Sequence, residues 1–381
     1  MSLIQGECAG RFSAVREAFA KSFAAGRELG ASFAATLDGE RVVDLWGGHT
    51  DAARTRPWQR DTLVNVFSTT KAMAALCLHL LADRGKLDLD APVARYWPEF
   101  AQGGKQSIPV HWLLSHRAGL AALRPRLPTE ALFDWQRMTD ALAAETPGWE
   151  PGSRSGYHAM TYGFLVGEVL RRVDGRTLGA FFRDEVARPL GADFWIGLPA
   201  AEDVRVAEMV PPSAEALAAA GSAAQPAPDS LLAKVMGNPP LAPTAANLPA
   251  WRRAEIPAAN GHGNARSVAR VMAALACGGV LDGVRLLSPA ALARATAEQC
   301  FGQDLVLGVP MRWGQGFMLA SAALPLGPSP RAFGHGGWGG SLGVADPDAH
   351  VSWAYVMNQM SAGTLGDTRA FELAQAFYAA L

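Results

Sequence analysis

Two side chains near residue 70 have the types and the spacing that a serine nucleophile requires. Ser68 follows the apolar run 63–67, and Lys71 comes three positions later. On a helix, residues i and i+3 share a face, so the lysine amine can reach the serine hydroxyl. Lys71 also opens the apolar stretch 72–78, where loss of solvation favours a neutral amine that can act as a base. The alternative is an ordinary buried helix whose lysine snorkels to solvent.

The composition is that of a globular protein. A chain of 381 residues exceeds the length that one hydrophobic core usually serves, which predicts two lobes. Apolar residues make up 49%, charged residues make up 18%, and the net charge is −1. These values argue against disorder. Because no basic run is present to neutralise phosphates, we expect no nucleic acid partner.

The sequence also favours a cytoplasmic protein that does not bind membranes. Residues 1–7 show no basic region followed by an apolar core, and no apolar run approaches the length of a membrane span. The cysteines are scattered without a metal-binding or redox spacing, at Cys8, Cys77, Cys277 and Cys300. They predict free thiols in or near the core.

The elements ahead of Ser68 are predicted from turn signals. Segments 31–37 and 41–46 flank a short turn containing an Asp-Gly pair, which predicts a β-hairpin. A helix is expected before it, over residues 11–28. A second helix is expected to begin at or near Ser68 and to run to about Arg84, where a glycine ends it.

Helices are predicted for the middle of the chain and strands for its last third. The helices are expected at 109–116, 160–173 and 267–277, with a Pro- and Ala-rich loop containing short helices over 199–260. The strands are expected at 313–319, 332–335, 341–345 and 351–358, followed by a last helix over 367–380.

This order of elements predicts an α+β fold with one antiparallel sheet built from both chain ends and flanked by helices. We expect residues 1–66 and 262–381 to form this α/β domain. Residues 67–261 are expected to form an inserted, mainly helical domain. Within it, the loop region 199–260 is expected to lie over the site.

Two further segments accompany the Ser68 and Lys71 pair. Residues 156–159, Gly-Tyr-His-Ala, follow a Pro-Gly turn just before a helix, and residues 335–338, His-Gly-Gly-Trp, end a predicted strand. The order and spacing resemble the serine β-lactamase and penicillin-binding-protein superfamily, in particular its class C branch and the family VIII carboxylesterases. In that pattern Ser-x-x-Lys comes first, a Tyr-x-Asn-like element follows, and a Lys-Thr-Gly-like or His-Gly-Gly-like strand lies near the C-terminus.

The resemblance extends over nearly the whole chain, from about residue 20 to residue 375. Residues 88–93, 113–120 and 260–266 are also similar to segments common in this superfamily. The resemblance implies a β-lactamase/transpeptidase-like fold. It also implies a cofactor-free serine carboxylesterase with a small-molecule ester as its substrate.

The resemblance implies a role for each catalytic candidate. Ser68 attacks an acyl carbon, and water then hydrolyses the acyl-enzyme. Lys71 is a base or proton relay that either holds Tyr157 as a tyrosinate or shares its proton. The backbone N–H groups of Ser68 and Trp338 are the expected oxyanion donors. Alternatively, Ser68 is a helix N-cap and Tyr157 an aromatic residue packed under a loop.

Residues His335 to Trp338 are expected to line the substrate site. Gly336 and Gly337 remove side chains where a substrate must approach the backbone. His335 is expected to bind substrate, with a structural histidine as the alternative. Trp338 is expected either to form the floor of an acyl or alcohol pocket or to belong to the core.

Short-chain esters are expected because the 199–260 segment and Trp338 are expected to cover the site, and no long apolar surface segment suggests binding to a lipid interface. Two departures from the β-lactamase pattern also favour neutral esters. Ala159 stands where class C enzymes have the asparagine that binds the β-lactam amide, and His335 stands where they have the lysine that attracts the substrate carboxylate. A β-lactamase or D,D-peptidase is the alternative activity. A catalytically silent member of the superfamily that serves as a binding protein is the other alternative.

A second serine lies in a sequence that is typical of a different hydrolase fold. Ser341 matches the Gly-x-Ser-x-Gly elbow, which needs a strand, a tight turn and then a helix. Because a strand is predicted after Ser341, we expect it to be structural. The chain has no His-Glu-x-x-His and no glycine-rich phosphate loop after a strand, so neither a metal nor a nucleotide cofactor is expected.

Overall fold

The structure, a computed structural model, describes residues 4–219, 227 and 229–381, so residues 220–226 and 228 of the 199–260 region lie outside it. The strands of the described chain are β1 (Ile4–Cys8), β2 (Gly30–Leu37), β3 (Glu40–Gly48), β4 (Val64–Asn65), β5 (Phe194–Ile196), β6 (Gly261–Gly263), β7 (Val280–Leu281), β8 (Val284–Arg285), β9 (Cys300–Gln303), β10 (Pro310–Trp313), β11 (Met318–Leu319), β12 (Phe333–Gly336), β13 (Leu342–Asp346) and β14 (Val351–Met357).

Nine strands form one antiparallel sheet in the order β1-β3-β2-β14-β13-β12-β11-β10-β9. The N-terminal hairpin β2–β3 joins the C-terminal strands where β2 pairs with β14, with Ala34 opposite Ala354. Beside that pair, the hydroxyls of Thr36 and Ser352 lie 2.7 Å apart although the residues are 316 positions apart in the chain. The prediction of one antiparallel sheet built from both chain ends is confirmed.

The α-helices of the described chain are α1 (Ser13–Ala24), α2 (Thr70–Asp83), α3 (Val110–Leu114), α4 (Trp135–Ala144), α5 (Thr161–Asp174), α6 (Leu178–Phe182), α7 (Arg188–Leu190), α8 (Ala214–Ala219), α9 (Leu231–Gly237), α10 (Pro249–Arg253), α11 (Ala265–Ala276), α12 (Pro289–Thr296) and α13 (Thr368–Tyr378). Helix α11 packs on β2, β13 and β14, whereas α1 packs on α13. None of the described helices has both the length and the apolar character needed to cross a bilayer.

Strand β14 shows why the sequences of the central strands are nearly continuous apolar runs. All seven of its residues are buried, and it contacts both α11 and α13. A strand covered on both faces has no solvent side, so alternation of apolar and polar residues is lost. Phe12, just ahead of α1, stacks on Phe377 of α13 with 4.9 Å between the ring centres.

The predicted elements agree with the observed ones to within a few residues, with one strand corrected. Residues 313–319 form two strands, because β10 ends at Trp313 and the chain turns before β11 begins at Met318. Gly316 in this turn has a φ of +91°, which glycine adopts without strain. Strand β1, the short strands β4 to β9 and helix α12 were not predicted. The four cysteines are free thiols and are buried or half-buried, as expected.

Candidate active site

The turn that carries Ser68 lies between a two-residue strand and α2. Strand β4 pairs with β6, and Phe67 then leaves it with a φ of +42°, a conformation that is rare for a bulky residue. Thr70 fixes the turn, because its Oγ1 donates to Phe67 O at 2.5 Å and accepts from Gly261 N–H at 2.8 Å. Ser68 therefore lies just ahead of the first residue of α2, with 9% of its surface exposed.

Lys71 is fully buried, and its amine contacts three oxygen atoms. Nζ lies 3.0 Å from Ser68 Oγ and donates to the carbonyl oxygens of Ala159 at 2.8 Å and Ala258 at 2.9 Å. The Ala258 segment can approach because α5 carries Gly163 there, where a Cβ would lie 2.4 Å from Ala258 N. Burial holds the pKa of Lys71 well below its ordinary value of 10.5. Burial therefore shifts the equilibrium of the amine towards its neutral form.

Tyr157 packs over this amine, with Lys71 Nζ 4.8 Å from the centre of its ring. Its hydroxyl is buried and makes no hydrogen bond of ordinary distance and angle within residues 4–219, 227 and 229–381. Burial raises the pKa of Tyr157 above its ordinary value of 10, although Ser68 is near enough to act in the opposite direction. Tyr157 is therefore a neutral phenol in the free protein, which disfavours the tyrosinate considered above.

Asp304 holds the backbone of Tyr157 in place. Its Oδ1 accepts hydrogen bonds from the N–H groups of Tyr157 at 2.9 Å, Val306 at 3.0 Å and Leu307 at 3.1 Å. The carboxylate is buried with 1% of its surface exposed. Sequence analysis did not identify Asp304, and its only local signal is the loop between two short strands.

Two buried histidines support the same segment. His158 accepts a hydrogen bond from Leu120 N–H at Nε2, 3.0 Å away, so its proton lies on Nδ1, which donates to Gly156 O at 2.6 Å. The N–H of His158 in turn donates to His116 Nδ1 at 3.1 Å. Burial lowers the pKa of His158 to about 4. Both rings are thus engaged in holding the backbone around Tyr157.

His335 faces Tyr157 from strand β12, with 6.2 Å between the ring centres. Its Nδ1 lies 2.7 Å from Gly336 O and therefore carries the proton. Nε2 is buried and has no partner within the described residues. Burial, with a smaller effect of Lys71, lowers the pKa of His335 to about 3. His335 thus offers an uncharged acceptor to the site.

The turn after β12 touches the Ser68 turn. Gly337 N–H donates to Ser341 O at 2.7 Å, and a Cβ on Gly337 would lie 2.3 Å from Val66 O and 3.2 Å from Ser68 N. Only glycine permits this approach. The N–H groups of Ser68 and Trp338 donate to no acceptor in the described part of the chain. Two backbone donors are therefore free at the nucleophile candidate.

Ser341 is used to join the two turns. Its hydroxyl donates to Val66 O at 2.7 Å and lies 3.0 Å from Thr69 Oγ1, and 1% of the residue is exposed. Strand β13 follows it, as predicted, in place of the helix that a nucleophile elbow requires.

An apolar cluster surrounds the Tyr157 ring; we call it the Tyr157 cluster, and its buried members are Ala121, Tyr157, Val235, Val306, Met311, Trp313 and Met318. Helix α9 contributes Val235, and Leu365 packs at the edge of the cluster. The Trp338 ring contacts Phe67 with 5.4 Å between the ring centres and is half-buried. The described residues contain no group of three or more side chains that could hold a metal ion.

The structure thus brings together the residues that were predicted from three distant segments: Ser68, Lys71, Tyr157, His335, Gly336, Gly337 and Trp338. Their catalytic roles stay predictions. Ala159, which stands where class C enzymes have an asparagine, contributes its backbone oxygen to the site as an acceptor for Lys71.

Comparisons with known proteins agree with this geometry. The beta-lactamase family profile matches residues 15–377. The esterase/beta-lactamase LipL of Mycobacterium tuberculosis is 38% identical over 366 residues, which cover 92% of this chain and 82% of that protein. A family VIII carboxylesterase structure is 49% identical with a TM-score of 0.92, covering 99% of this chain and 100% of that one. A penicillin-binding-protein homologue from Caulobacter crescentus is 46% identical with a TM-score of 0.91, over 99% and 100% of the two chains.

The fold and the site therefore define a β-lactamase-like hydrolase. The chain belongs to the beta-lactamase family. The predicted resemblance and the β-lactamase/transpeptidase-like fold are both confirmed.

Proposed function

We propose that this protein is a serine carboxylesterase that hydrolyses short-chain carboxylic esters through an acyl-enzyme on Ser68. The observation that carries the proposal is the set of three oxygens around Lys71. Carbonyl oxygens only accept hydrogen bonds, so a neutral amine directs its two N–H bonds to Ala159 O and Ala258 O. Its lone pair is then left for the Ser68 hydroxyl, 3.0 Å away.

In the acylation step, Ser68 Oγ bonds to the ester carbon while its proton moves to Lys71 Nζ. The negative charge that develops on the carbonyl oxygen is accepted by the N–H groups of Ser68 and Trp338. When the C–O bond of the ester breaks, the leaving alkoxide takes a proton from the Tyr157 hydroxyl, which recovers one from the Lys71 ammonium. Water then attacks the acyl-enzyme by the same steps in reverse, which releases the acid and restores Ser68.

The nature of the substrate is supported by two neutral positions and by the relatives. His335 is uncharged because burial lowers its pKa to about 3, and Ala159 has no amide to bind a β-lactam side chain. Of the similar proteins, LipL is named an esterase/beta-lactamase, and the 49% identical structure is a family VIII carboxylesterase. Ester hydrolysis is therefore the activity that we assign to this site.

The preference for short acyl chains is supported by the closed apolar surroundings. Val235 of α9 belongs to the Tyr157 cluster and Leu365 packs against it, and in this proposal they limit the length of chain that can lie beside Ser68. Assays with aryl esters of graded acyl length should give the highest kcat/KM at about two to six carbons. Rates that rise steadily to long acyl chains, with activation by an oil interface, would contradict this preference.

β-Lactamase or D,D-peptidase activity is the second candidate function. Attack by Ser68 into an oxyanion site serves a lactam or peptide as well as an ester, and the Caulobacter structure is that of a penicillin-binding-protein homologue. The discriminating experiment is a side-by-side assay of purified protein with an aryl butyrate and a chromogenic cephalosporin. We expect the ester to be the far better substrate, and a cephalosporin hydrolysed at a comparable rate would favour the second candidate.

A further inference from the structure

A cavity of about 640 Å³ lies against the Tyr157 cluster. Residues from three segments line it, namely the loop after α3, the loop after α4 and helix α9. Ala122, Trp149 and Leu231 belong both to the lining of the cavity and to the rim of the Tyr157 cluster. The cavity therefore borders the cluster that contains the candidate catalytic tyrosine.

The walls of the cavity are fastened together by Asn238. Its Oδ1 accepts from Leu127 N–H at 2.8 Å, and its Nδ2 donates to the carbonyl oxygens of Leu123 at 2.7 Å and Pro125 at 2.9 Å. These bonds link the segment after α9 to the loop at 119–127. The cavity is thus formed before any ligand binds, which lowers the entropic cost of binding.

The lining carries more positive than negative charge. Its cations are Arg124, Arg126 and Lys234, and its only acid is Glu145. Glu145 is already engaged, because its carboxylate accepts from the N–H groups of Arg124 at 2.7 Å and Thr146 at 2.8 Å and lies 3.3 Å from Arg124 Nη1.

Arg126 and Lys234 have no carboxylate partner in the part of the chain that the structure describes. Most other arginines at the surface are ion-paired, as Arg27 is with Glu372 at 2.5 Å. Lysine is also scarce, with five in the whole chain. Lys234 directly precedes Val235 of the Tyr157 cluster, and adjacent Cα atoms are about 3.8 Å apart. Two cations without a carboxylate partner among the described residues therefore line a cavity that borders the Tyr157 cluster.

We propose that this cavity binds the negatively charged end of the substrate, and that the preferred esters carry a carboxylate a few methylene groups away from the ester bond. The apolar side chains of Leu123, Trp149 and Leu231 would contact the methylene spacer, and Arg126 and Lys234 the carboxylate. The inference rests on the proposed esterase function and names its substrate class. It replaces the expectation of neutral esters with esters whose carboxylate lies at this cavity and not at His335, which is uncharged.

Paired substrates test the proposal. A mono-aryl glutarate is compared with an aryl pentanoate, which has a neutral chain of the same length, to place the carboxylate on the acyl side. A 4-carboxyphenyl butyrate is compared with its 4-carbamoyl analogue to place it on the alcohol side. The variants are Arg126→Gln, Lys234→Gln and the double variant. Lys86→Gln and Arg285→Gln are matched controls, because both residues are exposed and lie outside the cavity lining.

The measured quantity is the ratio of KM for the charged ester to KM for its neutral partner. In the double variant we expect this ratio to rise about threefold to tenfold for one of the two pairs, as is typical of two exposed charge contacts. The rise should shrink as salt is added, because added ions screen the charges. The two control variants should leave the ratio unchanged. A ratio that the double variant leaves unchanged for both pairs would overturn the proposal.

Binding can also be measured without turnover. Calorimetry should show that glutarate binds to the Ser68→Ala protein. The affinity should be lower when Arg126→Gln and Lys234→Gln are added to that protein. If no ester is hydrolysed but glutarate binds in this way, the proposed function fails and the anion site stands. If esters are hydrolysed but glutarate binding is the same with and without the two cations, the anion site fails alone.

Discussion

Arg369 donates a hydrogen bond from Nη2 to the carbonyl oxygen of Gly339, 3.3 Å away, and so connects helix α13 to the turn that carries Trp338. The guanidinium is buried with 4% exposed and is balanced by two carboxylates, Asp367 at 2.7 Å and Glu28 at 3.0 Å. The position of the free Trp338 N–H therefore depends on a charge network that lies behind the turn and does not touch the substrate.

From this connection we predict that Arg369 is a positioning residue for the oxyanion donors. Arg369→Lys keeps the positive charge but loses the planar guanidinium group. It should lower kcat for an aryl ester about tenfold, which is less than the effect of removing one oxyanion hydrogen-bond donor. The kcat for a thionoester should fall much less, because the sulfur of a C=S group accepts hydrogen bonds only weakly. Rates are normalised by titrating the active fraction with a serine-directed phosphonate. Equal losses on both substrates would indicate a merely structural effect.

The two candidate serines should differ sharply on substitution. Ser68→Ala should abolish ester hydrolysis. Among the described residues, the hydrogen-bond partners of Lys71 Nζ are one hydroxyl, that of Ser68, and two backbone carbonyl oxygens. Ser341→Ala removes the hydrogen bonds to Val66 O and Thr69 Oγ1 that stabilise the turn. The loss of each hydrogen bond costs about 1 kcal/mol of stability. We expect that variant to keep most of its activity. Mass spectrometry after phosphonate treatment should find the adduct on the Ser68 peptide, and an adduct on Ser341 would refute the assignment.

The pH profile of kcat/KM should show an acid limb that belongs to Lys71. Protonation of the amine removes the base, so activity falls with falling pH, and the limb should lie well below pH 10.5 because burial lowers the pKa of Lys71. His335 and His158 have pKa values of about 3 and about 4, so neither changes charge between about pH 5 and about pH 9. His335→Asn should therefore leave the midpoint of the limb in place, even where it lowers the rate. A limb that disappears in this variant would assign the base to His335 instead.

Cephalosporin hydrolysis should be weak, with kcat/KM at least about a thousandfold below that for a good aryl ester. A charge partner at His335 and an amide partner at Ala159 are both missing, at about 1.5–3 kcal/mol each. Together these losses amount to roughly a hundredfold to a few ten-thousandfold at about 1.36 kcal/mol per decade, and activated esters have a better leaving group as well. Restoring one partner with Ala159→Asn should narrow the gap. Comparable rates for the two substrates in the unchanged protein would show that other residues hold the lactam.

The regular elements could be predicted because their signals are local. The hairpin β2–β3 follows from the Asp-Gly pair at its turn, and α5 ends where Gly175 adopts a φ of +88°. Strands β4, β5 and β6 have only two or three residues, too few for any periodicity, and so were missed. Their pairing places the Ser68 turn, which shows that a site can depend on elements with no sequence signal.

The grouping of the candidate catalytic residues could be predicted because their types and order form a pattern, whereas the residues that hold them in place could not be predicted. Asp304 binds the Tyr157 backbone across 147 positions, and Arg369 reaches Glu28 across 341. A carboxylate that accepts backbone N–H groups has no fixed spacing from its partner, so one sequence cannot identify it. The apolar stretch after Lys71 predicts that its amine is buried. Its two carbonyl partners cannot be predicted in this way, because backbone acceptors are independent of residue type.

The pairing of β2 with β14 has a consequence for how the protein is made. Thr36 meets Ser352 only after 316 further residues have been synthesised, which takes roughly 15 to 60 seconds at ribosomal speeds. During that interval β2, whose Ala31, Phe33 and Ala35 are fully buried in the finished sheet, has an open edge on the nascent chain. The turn that carries Trp338 also emerges late, so the second backbone donor that we propose for the oxyanion is missing while translation proceeds. We therefore expect the nascent polypeptide to gain esterase activity only after its last strands are made, and we expect a chaperone that shields the early hairpin to raise the yield of active protein.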